Sequence, residues 1–361
     1  MAGLRTAIAT GLTVAVGATG ASLVACATDA DPSASGGPST SVESRPSRST
    51  PVPGEADGTC PTERAARPYP VGRRHETLVD PSRPTHPVPS RDLPGQPQRT
   101  LPVTVLYPST GVGDAQSAVT EGAPVADGRF PVVVWSHGVI SSGDERNDVL
   151  ADVARAGYVV VAPTFPLSSG PQGLDVSDLP QQAGDVMFVL SEVRDRGAVD
   201  WLAGHVLSKC VALAGHSLGG ATTLAAAFDP CCRPDGLEAV IDVSGVLVNL
   251  TPGVDRADVP ATPTLIVHGS LDNTVPATQG QRTFDQLRGP RWSLTFPTGD
   301  HNSMFLAPQR EVLVPAMVNF LDAELRGTEA DRARIARDGV LGPAVPGADV
   351  TTDFRPGPRG R

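Results

Sequence analysis

The sequence predicts an α/β fold: a mostly parallel central sheet with helices on both faces and no large cap domain. Three observations carry that expectation. Short apolar runs, among them Phe130–Trp135, Tyr158–Ala162, Val211–Ala214, Ala239–Val243 and Pro263–Gly269, read as strands buried on both faces. Stretches with apolar positions at helical spacing, Glu145–Ala156, Ala183–Val193 and Thr278–Leu287, alternate with them as crossover helices do. The connection Val246–Thr262 is short, so an inserted cap has no obvious place.

Taken in order, Arg74–Asp80 and Leu101–Tyr107 read as a leading antiparallel pair, followed by a Gly-rich loop at 109–129. The strand Phe130–Trp135 ends at Ser136-His137-Gly138-Val139, where the glycine lets the backbone turn. Trp292–Phe296 is a later strand, and Glu329–Arg337 a short helix before a Gly/Pro-rich tail that is left without structure. The length of 361 residues permits two domains at most, and the spread of motifs reads as one, spanning 63–327. Trp135, Trp201 and Trp292 read as core residues.

The stretch Gly215-His216-Ser217-Leu218-Gly219-Gly220 lies between the apolar run Val211–Ala214 and the alanine-rich helical stretch Ala221–Phe228. This is a G-x-S-x-G sequence placed between strand and helix. A turn that sharp strains the serine backbone and requires small neighbours, and it lifts the hydroxyl to the exposed end of the sheet beside helix-start amides. A serine hydroxyl is a poor nucleophile until a base takes its proton and a third group orients that base. Two later strand ends supply such groups: Asp272 in Ser270-Leu271-Asp272-Asn273 and His301 in Gly299-Asp300-His301-Asn302. Both lie where open α/β sheets place their ligand crevice.

With Trp135-Ser136-His137-Gly138 and His268-Gly269-Ser270-Leu271-Asp272, these motifs resemble the α/β-hydrolase superfamily. The likeness covers roughly 70–327 and comes nearest to bacterial dienelactone-hydrolase-like, platelet-activating-factor-acetylhydrolase-like and cutinase-like secreted esterases. It implies an α/β-hydrolase fold, with Ser217 as nucleophile, His301 as general base and then acid, and Asp272 as orienting carboxylate. It implies an oxyanion hole from the backbone N–H of Leu218 and that of Val139, with Ile140 as the fallback. The activity implied is cleavage of carboxylic esters, whether short-chain acyl, lipid-derived or polyester, through an acyl-enzyme and without a cofactor or metal. A peptidase or amidase relative is one alternative. A non-catalytic surface binding protein on the same scaffold is the other.

Neighbouring polar residues have plainer readings. His216 is expected to pack, since its position in the sharp turn points it away from the serine; His137 and His268 are expected to hydrogen-bond loops around the site. Asp300 is a weak rival to Asp272, and Asp242, at the end of the next strand, a stronger one. Asp185 is expected at a helix N-terminus, where a carboxylate is favourable. Phe165 and Phe305 follow site-facing strand ends and are expected to line the acyl pocket.

The first residues carry a separate message. Arg5 precedes the uncharged small-apolar run Ala7–Val24, which ends in Leu23-Val24-Ala25-Cys26. This resembles a lipoprotein signal over 1–25, with Cys26 lipidated and the protein held at the cell membrane; an ordinary secretory signal is the alternative. Residues 26–62 are Pro-, Ser- and Gly-rich and read as a disordered tether. Of five cysteines, removing Cys26 from the count leaves Cys60, Cys210, Cys231 and Cys232, an even number suited to bridges in an oxidising compartment. Parallel neighbouring strands would bring Cys210 near the adjacent pair, so a bridge from Cys210 to one of them, and from Cys60 to the other, is expected. The formal net charge is −10, and without a basic block nucleic acid is not an expected partner. A monomer acting on an ester substrate is expected.

Overall fold

The computed structural model describes residues 60–61, 68–110, 119–170, 175–194, 200–252, 260–341 and 350–359. The expected leader, Cys26 and nearly all of the tether lie outside them. The described residues form a sheet of ten strands: β1 Val71–Asp80, β2 Arg99–Pro108, β3 Thr120–Glu121, β4 Phe130–Ser136, β5 Val159–Pro163, β6 Val206–His216, β7 Leu237–Val243, β8 Thr264–Gly269, β9 Arg291–Phe296 and β10 Thr351–Arg355. Their order across the sheet is β10-β9-β8-β7-β6-β4-β5-β2-β1-β3. The six strands from β9 through β8, β7, β6 and β4 to β5 are parallel; β2 and β10 join them antiparallel on either side.

The central strands are apolar on both faces because both are covered. Val133, Trp135, Ala212 and Ala214 point to the side packed by α1 Asn147–Arg155 and α5 Arg310–Leu325. Val132, Val134, Val211 and Leu213 point to the side packed by α2 Leu179–Arg194, α3 Leu218–Phe228 and α4 Ala277–Gln286. Adjacent residues thus serve opposite cores, which is why these strands read as continuous apolar runs.

Beyond α6 Glu329–Asp338, the expected structureless tail is corrected. Residues Thr351–Arg355 form β10, and Phe354 lies 4.8 Å from the Trp292 ring. A five-residue edge strand with every side chain at least partly exposed has no apolar run to announce it.

The cysteine pairing is also corrected. Cys210 bridges to Cys60, with Cα atoms 5.1 Å apart, and Cys231 bridges to its neighbour Cys232. The adjacent pair stays in its own turn because the Asp229 carboxylate accepts from the Cys231 amide at 3.2 Å while also holding the Thr251 amide at 2.8 Å. The chain at Cys60 instead lies beside Lys209, its sulfur 3.8 Å from the Lys209 carbonyl.

Asp185 does not serve a helix N-terminus. It lies in the second turn of α2, fully buried, and accepts from Arg99 Nε at 2.7 Å and Arg83 Nη2 at 2.8 Å. Arg99, also fully buried, turns its other edge to Asp178 at 2.6 Å. These ion pairs tie the start of β2 to α2, the helix packed against the nucleophile helix. Replacing Arg99 with Met strips the buried Asp178 of its arginine and leaves Asp185 with Arg83 alone, and is expected to destabilise the protein by about 3–5 kcal/mol, measured by urea unfolding. Adding Asp185→Leu and Asp178→Leu to Arg99→Met is expected to recover part of that loss.

Candidate active site

The nucleophile turn joins β6 to α3. Ser217 has φ 59° and ψ −121°, a strained conformation for a residue with a side chain. Its amide donates to the Val243 carbonyl at 2.9 Å, which pins the turn to β7. Two glycines make the turn possible. A Cβ on Gly215 would sit 2.3 Å from the Gly219 carbonyl oxygen, and one on Gly219 would sit 2.0 Å from the Ser136 carbonyl oxygen.

His301 and Asp272 arrive from the ends of β9 and β8. His301 Nε2 is 2.9 Å from Ser217 Oγ, and its Nδ1 is 2.7 Å from Asp272 Oδ2. The other Asp272 oxygen accepts the amides of Thr274 at 2.9 Å and Val275 at 2.8 Å, so the carboxylate cannot swing away. Burial opposes its charge, but bonds from His268 and His301, the positive charge near it and the Val275 amide outweigh burial. The Asp272 carboxyl is held well below the usual range.

Neither rival carboxylate reaches His301. Asp300 Oδ1 accepts the amides of Asn302 at 2.9 Å and Ser303 at 2.8 Å, building the turn that presents His301. Asp242 is fully buried, and neither oxygen has a well-formed hydrogen bond among the described residues. Burial pushes its pKa up to about 7, against the charge of His268 and a weak approach of the Gly245 amide.

The surrounding histidines have structural partners. His216 Nε2 donates to the His301 carbonyl at 2.9 Å, fixing the backbone of the base; burial and the neighbouring His301 push it down to about 3, so it stays neutral. His137 accepts the Phe165 amide on Nε2 at 2.9 Å and faces the Gly138 carbonyl with Nδ1 at 2.6 Å. Those two bonds set its tautomer, and burial pushes it down to about 4. The segment they hold comes close to the nucleophile: a Cβ on Gly138 would lie 3.2 Å from Ser217 Cβ. Among the described residues, neither the Val139 amide nor the Leu218 amide at the start of α3 has an acceptor. Ile140, just beyond, has φ 54°.

Phe165 and Phe305 are corrected as pocket residues. Phe165 is fully buried against the His137 ring, and Phe305, 2% exposed, packs between Trp135 and His216. Each supports a histidine from behind and offers a ligand no surface. The apolar surface near the serine comes from other residues. Leu218 and Ala221 cluster with Leu179, Val139, Val248 and Leu250. Ile140, Leu271 and Leu306, which follow or precede the oxyanion segment, Asp272 and His301 in the chain, are 47%, 56% and 62% exposed.

One support had no signal in the sequence. Arg146 donates to the Asn302 side chain at 2.8 Å and lies 4.2 Å over the Phe305 ring, so it latches the His301 turn to the loop before α1. Among the described residues no group of three or more His, Cys, Asp or Glu side chains is arranged to hold a metal ion.

Comparison with known proteins finds similarity to chlorophyllases and, in fold, to an esterase. The chlorophyllase family model matches residues 107–254, a segment that holds Ser217 and Gly138 but ends before Asp272. Chlorophyllase-2 of Arabidopsis thaliana is 24% identical over 262 residues, 60% of this chain and 80% of that protein. A protein of Salmonella typhi called YfhR is 31% identical over 88 residues, 24% of this chain and 30% of its own length. Among solved structures, a ferulic acid esterase from Streptomyces cinnamoneus aligns with a TM-score of 0.60 at 21% identity, covering 82% of this chain and 99% of that one.

The buried Asp242 carboxyl makes stability depend on pH. In the unfolded chain it releases its proton near the ordinary aspartate value of 3.8, whereas the folded protein keeps it up to about 7. Stability from this group is therefore fully present below the lower value and is lost as pH rises through the higher one. Asp242→Asn removes that dependence. It is expected to stabilise the protein at pH 8 relative to pH 5 by on the order of 2 kcal/mol, read from urea unfolding at both pH values.

Proposed function

We propose that this chain, a member of the α/β-hydrolase superfamily with esterase relatives, cleaves carboxylic esters through an acyl-enzyme on Ser217, His301 and Asp272. The observation that carries the reading is the unbroken run of hydrogen bonds, 2.9 Å from Ser217 Oγ to His301 and 2.7 Å from His301 to Asp272. Along it, Ser217 Oγ attacks the ester carbonyl carbon as its proton passes to His301 Nε2. The imidazolium is stabilised by Asp272, which stays charged and does not itself take the proton. The amides of Leu218 and Val139 receive the oxyanion, an effect worth about 3–4 kcal/mol per donor in serine hydrolases. His301 then protonates the departing alcohol, and a water activated in the same way releases the acid.

The apolar cluster beside the serine and the exposed Ile140, Leu271 and Leu306 favour esters with apolar groups over charged ones. Short-chain acyl, lipid-derived and polyester substrates all meet that description. Amide hydrolysis has no observation in its favour. For placement in the cell, the leader supports export and anchoring through a lipid on Cys26, with the tether setting reach; Cys26→Ser is expected to move the protein from the membrane fraction to the medium.

Two measurements test the chemistry. A fluorophosphonate is expected to label Ser217 stoichiometrically, with no labelling in Ser217→Ala and much slower labelling in His301→Ala; folded wild-type protein that resists labelling would mean a binding protein. Asp272→Asn is expected to lower kcat on p-nitrophenyl esters by about 10⁴-fold, as loss of the orienting carboxylate does in other triads, with KM little changed. Aminoacyl-nitroanilides run in parallel are expected to turn over far more slowly than the esters.

A further inference from the structure

Behind Asp272 lies a second imidazole that the proton path leaves unused. His268, at the end of β8 and 4% exposed, points Nε2 at two acceptors, the Val275 carbonyl at 2.9 Å and Asp272 Oδ2 at 3.4 Å. That Asp272 oxygen is the one His301 engages. The other ring nitrogen, Nδ1, is buried with no partner among the described residues.

Its surroundings are shaped for polar groups. A Cβ on Gly280 of α4 would meet His268 Nδ1 at 2.7 Å, and a Cβ on Gly220 of α3 would meet Asp242 Oδ1 at 2.5 Å. A Cβ on Gly245 would approach the same oxygen at 2.2 Å. Glycines from two helices and a loop thus clear room for a carboxyl and an imidazole where aliphatic side chains would pack without polar burial. Burying such groups unpaired is costly, so packing alone does not account for them. Each influences the other's charge. Burial lowers His268, but its contacts with Asp272 and Val275 and the charges of Asp242 and Asp272 raise it above the ordinary histidine value. The titratable groups facing His268 are Asp242 from β7 and Asp272 from the loop after β8; α3 and α4 present Gly220 and Gly280.

We propose that His268 is a positioning residue for hydrolysis at Ser217: its Nε2–H braces the Asp272 oxygen that orients His301, with the buried Asp242 carboxyl as its neighbour. The inference rests on the esterase reading above. With Oδ1 held by two backbone amides and Oδ2 2.7 Å from His301 Nδ1 and 3.4 Å from His268 Nε2, the Asp272 carboxylate is held at both oxygens. A cationic His268 withdraws part of the negative potential that His301 feels, and a neutral one returns it. Orientation is therefore constant while basicity at the site is tuned by pH.

The test compares wild type with His268→Phe, His268→Gln and Asp242→Asn, measuring kcat and KM on a p-nitrophenyl ester from about pH 5 to 9. The His268 titration is followed by NMR in Ser217→Ala protein, with and without Asp242→Asn. His268→Phe is expected to lower kcat by about 10–100-fold through misorientation, with KM nearly unchanged. His268→Gln, which keeps a donor, is expected to recover most of that loss. In both, the acidic limb of kcat/KM moves to higher pH, because a cation has left the neighbourhood of the proton-accepting site. Asp242→Asn is expected to move the His268 midpoint to lower pH. Folded His268→Phe with wild-type kcat and an unmoved acidic limb overturns the proposal, as does an unmoved His268 midpoint in Asp242→Asn. If His268→Phe does not fold, an unmoved acidic limb in His268→Gln overturns it equally. Absence of ester turnover by wild type overturns the esterase reading instead, and is distinguished because the NMR arm needs no turnover.

Discussion

The position of the Ser217 hydroxyl depends on how closely α3 can approach the ends of β4 and β6. The Gly219 Cα faces the Ser136 carbonyl so tightly that even a methyl group would fall 2.0 Å from its oxygen. Only with that contact does the backbone at Ser217 adopt φ 59° and present its hydroxyl upward instead of continuing along β6. The same contact places the first free amide of α3 beside the hydroxyl, with the Gly138 segment on its other side. The presented hydroxyl and the free amides beside it are therefore consequences of a single packing constraint, and the strain is held by the sheet and helix on either side.

Around that constraint, three aspartates show how hydrogen bonding assigns roles to one chemical group. Asp300 spends its carboxylate on two amides of its own turn, and the result is a presented His301. Asp272 gives one oxygen to backbone amides and the other to imidazole, so it is both fixed and charged. Asp242 has no comparable donors, and burial then moves it toward neutrality. Of these three carboxyls, Asp272 is the one that both keeps its charge and meets the His301 imidazole.

The candidate triad was legible in the sequence because each member follows an apolar run, and parallel strands bring their carboxyl ends to one rim. The strand pattern survived for the same reason: β4 to β9 are buried on both faces, so composition alone marks them. What failed depended on contacts between distant segments. The partner of Cys210 follows from the path of residue 60 past Lys209, which no local pattern encodes. β10 is an exposed edge strand held by pairing with β9 and by Phe354 on Trp292. Asp185 looked like a capping residue only while the helix was thought to begin near it; the start at Leu179 moved it to a buried face and an arginine partner. Phe165 and Phe305 occupy the expected positions after strands, but their rings turn inward to support His137 and His216.

Those two aromatic contacts point to how a site made mostly from loops is kept rigid. His301 lies on a turn, yet its carbonyl is held by His216, the His216 ring rests on Phe305, and Phe305 lies under Arg146, which returns to Asn302. The support is a closed ring of contacts that begins and ends at adjacent residues, His301 and Asn302. In such a ring no member can shift without disturbing a neighbour, so His301 is held from its backbone as well as by its Asp272 bond. His216 is neutral and donates from Nε2, so that nitrogen is committed to the His301 backbone. The imidazole nitrogen that meets the Ser217 hydroxyl, His301 Nε2 at 2.9 Å, is thus set in place by residues that do not themselves contact that hydroxyl.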